Sequence, residues 1–202
     1  MVKNSKRARG RPRSFDETEA IRMATNVFWA KGFDGATIDD LVEGMGVQRP
    51  SLYAIFGDKA TLFMRCLEAY RDNLGKQAAQ ALFGPTSVQE AIRSLLRFSV
   101  QTATDPNSPL GCLMVCVAPL VDDENVRRFL ATTNEETNAA IAKRLMQGVE
   151  AKELPADFPC EARSRMLTDM SRGLRVSARM GAQRQSLLED ADRAAEVILR
   201  AP

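Results

Sequence analysis

The sequence predicts an all-α protein of about nine helices. Three observations carry that prediction. Ala, Leu, Arg, Glu and Met dominate, whereas aromatics are sparse: nine Phe, two Tyr and one Trp in 202 residues. Such a mixture favours helix over strand. Apolar residues recur at three- and four-residue steps along most of the chain, the spacing that places them on one face of a helix. Helix start and stop signals also alternate at helix-like intervals.

Ser14 with Glu17 three residues on forms a capping-box pattern, so a first helix is expected over 15–31. Ile21, Ala24, Val27 and Phe28 mark its buried face, and Gly32 stops it. Trp29 and Phe33 beside that stop read as packing residues. Thr37 is a natural N-cap for a short second helix, and Asp39 and Asp40 suit its positive end. Ile38, Leu41 and Met45 are its apolar face, and Gly44 and Gly46 punctuate it. A third helix starts at Gln48-Arg49-Pro50, proline being tolerated in a first turn. It runs to a stop at Gly57, with Leu52, Ile55 and Phe56 expected inward and Tyr53 outward. Asp58 caps a longer fourth helix through Leu62, Cys66, Tyr70 and Leu74.

Phe83-Gly84-Pro85-Thr86 is a break, and Ser87 with Glu90 opens a fifth helix reaching about Ala103. Residues 104–109 (TDPNSP) are a loop. Gly111 to Leu120 reads as a short buried helix, apolar nearly all round. Asp122-Asp123-Glu124 begins a long helix to about Ala151, with Val126, Phe129, Ala140, Ile141 and Leu145 inward. Two final helices are expected over 160–180 and 186–200, separated near Gly181.

Composition excludes several function classes. The longest apolar run, Cys112 to Val121, is ten residues with a proline inside, against roughly 20 for a spanning helix. No apolar stretch follows the basic N-terminus, so a secretory signal is not expected. The expected compartment is the cytoplasm. The chain has no histidine, which removes the usual general base and the commonest metal ligand. No catalytic residue, metal site or cofactor is therefore assigned. The net charge of +2 hides an asymmetry. Lys3, Lys6, Arg7, Arg9, Arg11 and Arg13 give residues 1–14 a charge of +6, so the other 188 residues sum to −4. A basic arm of this kind is either a solubilising tail or a contact for a polyanion.

Thr37 to Phe56 favours the polyanion. Two short helices joined by a glycine-containing turn match the helix-turn-helix plan, in which the second helix enters the major groove of DNA. Its leading residues here are Gln48, Arg49 and Ser51. Gln can pair with adenine, Arg with guanine, and Ser is adaptable. An outward Tyr53 suits a phosphate oxygen. Lys59 sits in the first turn of the next helix, an unfavourable place for a cation unless a phosphate approaches. Thr37 offers a hydroxyl and nearby N–H groups to the same backbone, and Arg11 and Arg13 in the arm are placed to reach phosphate or the minor groove.

Thr37-Ile38-Asp39-Asp40-Leu41, Gly46-Val47 and Ser51-Leu52-Tyr53-x-x-Phe56-Gly57-Asp58-Lys59-x-x-Leu62 together resemble the signature of the TetR family of bacterial regulators. Ala24-x-x-Val27-Phe28-x-x-Lys31-Gly32-Phe33 resembles that family's first helix. The resemblance covers roughly residues 12–75 and implies a three-helix DNA-binding domain, a linking fourth helix and a variable helical ligand domain. On that reading residues 1–13 are a basic arm ordered only on DNA, 14–75 the DNA-binding domain and 76–202 an effector-binding and dimerisation domain. It further implies a homodimer, joined mainly through the last two helices, that represses from a palindromic double-stranded operator until a small-molecule effector releases it. Tyr53 and Lys59 match the family's phosphate contacts, whereas Pro50 stands where the family more often has Gly or Ala.

For the effector pocket, the resemblance points to the middle of the C-terminal part: Leu67, Tyr70, Phe98, Gln101, Thr102, Cys112, Cys116 and Phe129. Two readings compete for Cys112 and Cys116, a redox- or electrophile-sensing thiol pair or apolar packing. Arg163, Arg165, Arg172, Arg175 and Arg179 either bind an anionic effector or form a solvated or dimer-rim face. The rival class is an all-helical enzyme or structural dimer with an incidental arm.

Overall fold

A computed structural model describes residues 16–200. Among these, nine α-helices follow one another without a strand: α1 (Glu17–Gly35), α2 (Ile38–Met45), α3 (Arg49–Phe56), α4 (Lys59–Phe83), α5 (Val88–Ala103), α6 (Leu113–Cys116), α7 (Glu124–Glu150), α8 (Cys160–Arg179) and α9 (Arg184–Leu199), with a 3-10 turn at Ala118–Leu120 between α6 and α7.

Capping chemistry sets most of the boundaries. The Asp16 carboxylate accepts the Thr18 and Glu19 N–H groups at 3.0 and 3.2 Å, so α1 begins later than the expected Phe15 and Asp16 takes the capping role assigned to Ser14. Ser14 itself lies outside the described residues. Gly32 breaks α1 where expected, at φ +77°. A Cβ there would touch nothing within 4 Å, so the left-handed backbone alone calls for glycine. Asp58 caps α4 by accepting the Thr61 N–H at 2.7 Å, and Ser87 caps α5 by accepting the Glu90 N–H at 3.2 Å.

The helices pack around two apolar cores. One belongs to the head, α1 to the first half of α4: Phe28, Trp29, Leu41, Leu52, Phe56, Leu62, Phe63 and Leu67 are all buried in it. This core also takes in Leu113, Val117, Ala118, Val121 and Val126, from α6 to the start of α7. The second core lies between α5, α7, α8 and α9 and holds Leu96, Leu145, Leu167, Leu174, Leu187 and Ile198. Helix α4 runs unbroken through Gly75 and delivers Leu82 to this second core, so a single rod spans the head and the body. Polar ties hold the body in register: Arg97 to Asp192 at 2.7 Å, Thr168 to Asn138 at 2.6 Å and Ser99 to Ser171 at 2.8 Å.

Two expectations need correction. Ile55, expected inward, is 37% exposed. Helix α3 has only eight residues and one buried edge; Leu52 and Phe56, one turn apart, occupy it, which leaves Ile55 on the flank. The stretch from Gly111 to Leu120 is not one buried helix. It breaks at Val117 (φ −124°, ψ −55°) into α6 and the 3-10 turn, whose Pro119 cannot donate to a helical ladder. Leu120 is left 80% exposed.

Candidate nucleic-acid interface

Thr37 and Asp40 cap α2 reciprocally: the Asp40 N–H donates to the Thr37 hydroxyl at 3.1 Å, and the Thr37 N–H donates to the Asp40 carboxylate at 2.9 Å. Lys31 adds a 2.6 Å contact to the same carboxylate. Lys31, with the two Thr37 hydrogen bonds, lowers the Asp40 pKa to about 2. Behind α2, Gly44 faces α1 so closely that a Cβ would lie 2.6 Å from Val27 Cγ2. This close approach and the Leu41 and Met45 anchors fix α2.

The buried Leu52 and Phe56 hold α3 from behind. Gln48, Arg49, Pro50 and Ser51 are exposed at its leading end, and Tyr53 beside them is 47% exposed. The structure thus gathers the expected reading residues on one solvent-facing end of a short, firmly seated helix. Gln48 is the N-cap residue but makes no side-chain cap bond, so its amide is not spent on its own helix. Arg49 reaches back to Asp39 on α2 at 2.5 Å, and that carboxylate raises its pKa. Exposed ion pairs of this kind hold weakly, so the guanidinium can exchange Asp39 for a phosphate or a base edge. The pairing was not legible in the sequence, because the two residues meet only across the turn.

Lys59 lies at the first turn of α4, its ammonium 3.5 Å from the Asp34 carbonyl oxygen and 4.7 Å from the centre of the Phe33 ring. These contacts give it an intramolecular reason to sit at a helix N-terminus and hold it against the end of α1. Arg65 covers the Phe56 ring at 5.1 Å and pairs with Glu17 on α1, tying α4 to α1 behind the reading helix. Arg11 and Arg13 lie outside the described residues.

The effector candidates are only partly assembled. Leu67 is buried in the head core, and Tyr70 and Phe129 pack against it. The Tyr70 hydroxyl donates to Cys112 Sγ at 3.4 Å. Arg71 lies 5.1 Å over the Phe129 ring. On α5, Gln101 is exposed, and the Thr102 hydroxyl donates to the Phe98 carbonyl at 2.9 Å. The four cysteines are free. Burial pushes the Cys66 thiol up to about 12 and also raises that of Cys160. Cys112 is buried at the N-cap of α6, and the Cys116 thiol points at the Arg175 carbonyl at 3.9 Å. These are packing environments and give the thiol-sensing alternative no support. Among the described residues no three His, Cys, Asp or Glu side chains cluster to hold a metal, and no helix is long and apolar enough to cross a membrane.

Comparison with known proteins agrees with this geometry. Residues 20–66 match the family described as bacterial regulatory proteins, tetR family. Over 187 residues the chain is 29% identical to the HTH-type transcriptional repressor ComR of Escherichia coli K12, covering 91% of this chain and 89% of that one. Among solved structures, a cysteine-substituted CifR, a TetR family transcriptional regulator complexed with 26-base-pair operator DNA, superposes with a TM-score of 0.84 at 34% identity, over 92% of this chain and 98% of that one. A putative TetR regulator from Rhodococcus sp. RHA1 is 32% identical over 92% of this chain and 100% of that one, with a TM-score of 0.63. These relatives are regulators, which removes the reading as an enzyme or structural dimer with an incidental arm. With a helix-turn-helix head presenting Gln48, Arg49, Ser51 and Tyr53 on a helical body, the chain belongs to the TetR family of DNA-binding transcriptional regulators.

Proposed function

We propose that the protein is a homodimeric repressor that grips a palindromic operator with two copies of α3 and releases it when a small molecule binds. The observation that carries this reading is the leading end of α3, where Gln48, Arg49, Ser51 and Tyr53 are all exposed while Leu52 and Phe56 are buried and seat the helix. Gln48 and Arg49 read base edges, and Tyr53, Lys59 and Thr37 hold phosphates on either side. Arg11 and Arg13 extend the grip along the backbone. One such head buries little DNA, and two heads spaced about 34 Å apart read consecutive major grooves on one side of the duplex.

The partner surface is on the last two helices. Met166, Met170 and Val176 on α8, Met180 at its C-cap and Val197 on α9 are exposed, Met180 by 82%, and Gly173 lies within the α8 run. An exposed apolar stripe of this kind is explained by a second copy. The CifR complex with operator DNA and the repressor name of ComR support the same reading.

A gel shift on the intergenic DNA beside the protein's own gene, with light scattering to fix the stoichiometry, tests the proposal. The expected result is a dimer bound to one palindrome, with affinity falling steeply as salt rises. A monomer, or binding without sequence preference, would overturn it.

A further inference from the structure

Among the described residues four buried side-chain N or O atoms make no hydrogen bond; Arg93 Nε and Asp192 Oδ1 face one another at 3.9 Å, whereas the other two, on Trp29 and Arg175, have no such counterpart. The Trp29 indole N–H is buried and has no acceptor among the described residues, and the same is true of Arg175 Nε. Arg175 Nη1 donates to the Ser171 hydroxyl at 3.0 Å, which the Ser99 hydroxyl holds in turn at 2.8 Å, and among the described residues no carboxylate pairs with this guanidinium. A half-buried cation without a counter-charge is costly, yet this one is braced in position.

The two groups belong to one cluster. The Trp29 and Tyr70 rings meet edge to face, with centroids 5.2 Å apart. Tyr70 reaches Cys112, and Cys116, one turn on, meets the Arg175 backbone. Burial, followed by the neighbouring Cys112, raises the Tyr70 pKa, while the positive charge of Arg175 acts on the same phenol in the opposite direction. The phenol thus keeps its proton and spends it on a thiol sulfur, a weak acceptor. Three donors, on α1, α4 and α8, are unsatisfied or poorly satisfied within an otherwise apolar and aromatic setting.

We infer that the effector is a small molecule with an apolar body and one carboxylate, taken at this seam by the Arg175 guanidinium, the Trp29 indole N–H and the Tyr70 hydroxyl. This deepens the proposed function and rests on it. A carboxylate supplies the missing counter-charge and acceptors, in the charge-assisted geometry that arginine favours. To enter, it must take the Tyr70 hydroxyl from Cys112 at the N-cap of α6. Because Trp29 belongs to the head and Arg175 to the body, occupancy bears directly on head placement, and operator and effector then oppose one another reciprocally.

Trp29 is the chain's one tryptophan, so its emission reports on this site alone. The intact protein, without DNA, is titrated with octanoate and benzoate, and with octanamide and benzamide as uncharged controls. The expected result is a saturable change in Trp29 emission with the carboxylates and none with the amides. In Arg175→Gln, checked for folding by circular dichroism, the carboxylate affinity should fall roughly tenfold or more, the loss expected for a charge-assisted hydrogen bond. Arg175→Lys should recover part of it. Carboxylates that leave Trp29 emission unchanged, or that act no better than the amides, would overturn the inference in the wild-type protein alone. Equal affinity in Arg175→Gln would do the same. Operator binding by the ligand-free protein is scored separately, so its absence would refute the repressor reading and leave the fluorescence result to judge the site.

Discussion

Adding one methyl group at Gly44 tests the packing that seats the reading head. Gly44 is in the last turn of α2, where alanine stabilises a helix by up to about 1 kcal/mol relative to glycine. Here the added Cβ would lie 2.6 Å from Val27 Cγ2, and overpacking of this kind costs about 1–3 kcal/mol. Val27 has little room to yield, because a β-branched residue inside a helix has one strongly preferred χ1 rotamer. The clash therefore wins, and Gly44→Ala should be destabilising by about 1 kcal/mol net. For a chain of this length that lowers Tm by about 2–4 °C, measured at fixed protein concentration because association contributes to apparent stability. The double-mutant cycle isolates the cause: in a Val27→Ala background the same Gly44→Ala change loses its clash and should become stabilising by up to about 1 kcal/mol. If Gly44→Ala alone were as stable as the wild type, or if its effect had the same sign in both backgrounds, the close α1–α2 approach would not be what holds glycine at this position.

Replacing Tyr53 by Phe and Lys59 by Gln together should weaken operator binding at every sequence tested, and loss of the Lys59 phosphate contact should reduce the salt slope by about 1; unchanged affinity in a gel shift would refute the assigned docking. Asp39→Asn releases Arg49 and removes a negative charge beside the reading helix, so operator affinity should rise and the salt dependence steepen; a weaker complex would mean that Asp39 orients Arg49 productively. The Asp40 pKa is lowered from 3.8 to about 2, so its stabilising contribution is complete above the ordinary value and is lost as pH falls through the lowered one. The wild-type urea midpoint should therefore fall more steeply between about pH 4 and pH 2 than that of Asp40→Asn, and parallel curves would show that the Lys31 and Thr37 contacts do not favour the ionised form.

What was legible in the sequence was what neighbouring residues decide. Thr37, Asp58 and Ser87 satisfy N–H groups three residues away, so their positions alone place the starts of α2, α4 and α5. Gly32 was readable for the same reason, since its φ of +77° is a local requirement. Tyr53 and the leading end of α3 followed from periodicity. Partners distant in sequence were not readable. Asp39 meets Arg49 across a turn and Lys31 meets Asp40 from another helix, and neither pair follows a helical spacing rule. Ile55 and Leu120 are apolar, yet exposed, because a short helix or a broken one has too narrow a buried edge for every apolar residue it carries. Trp29 read as packing, and in part it is. Arg175 read as one member of an arginine series along α8, and nothing in that series distinguishes the one whose Nε is buried without an acceptor.

The arrangement of the two cores bears on how a signal could cross the molecule. If the head were joined to the body by α4 alone, an effector would have to act through the bending of one helix. Instead, Leu113, Val117, Ala118, Val121 and Val126 share the head's own core, so α6 and the start of α7 move with α1 and α4 or lose that burial. At about 25 cal/mol per Å² of apolar surface, exposing even one such side chain costs about 1.5–3 kcal/mol, comparable with the coupling of about 1–3 kcal/mol that separates allosteric states. A ligand therefore need not unfold or bend anything. It needs only to loosen the contact of α6 with α4, where the Tyr70 hydroxyl meets Cys112, and Arg175, whose positive charge acts on the same phenol, supplies the attraction for an anionic ligand.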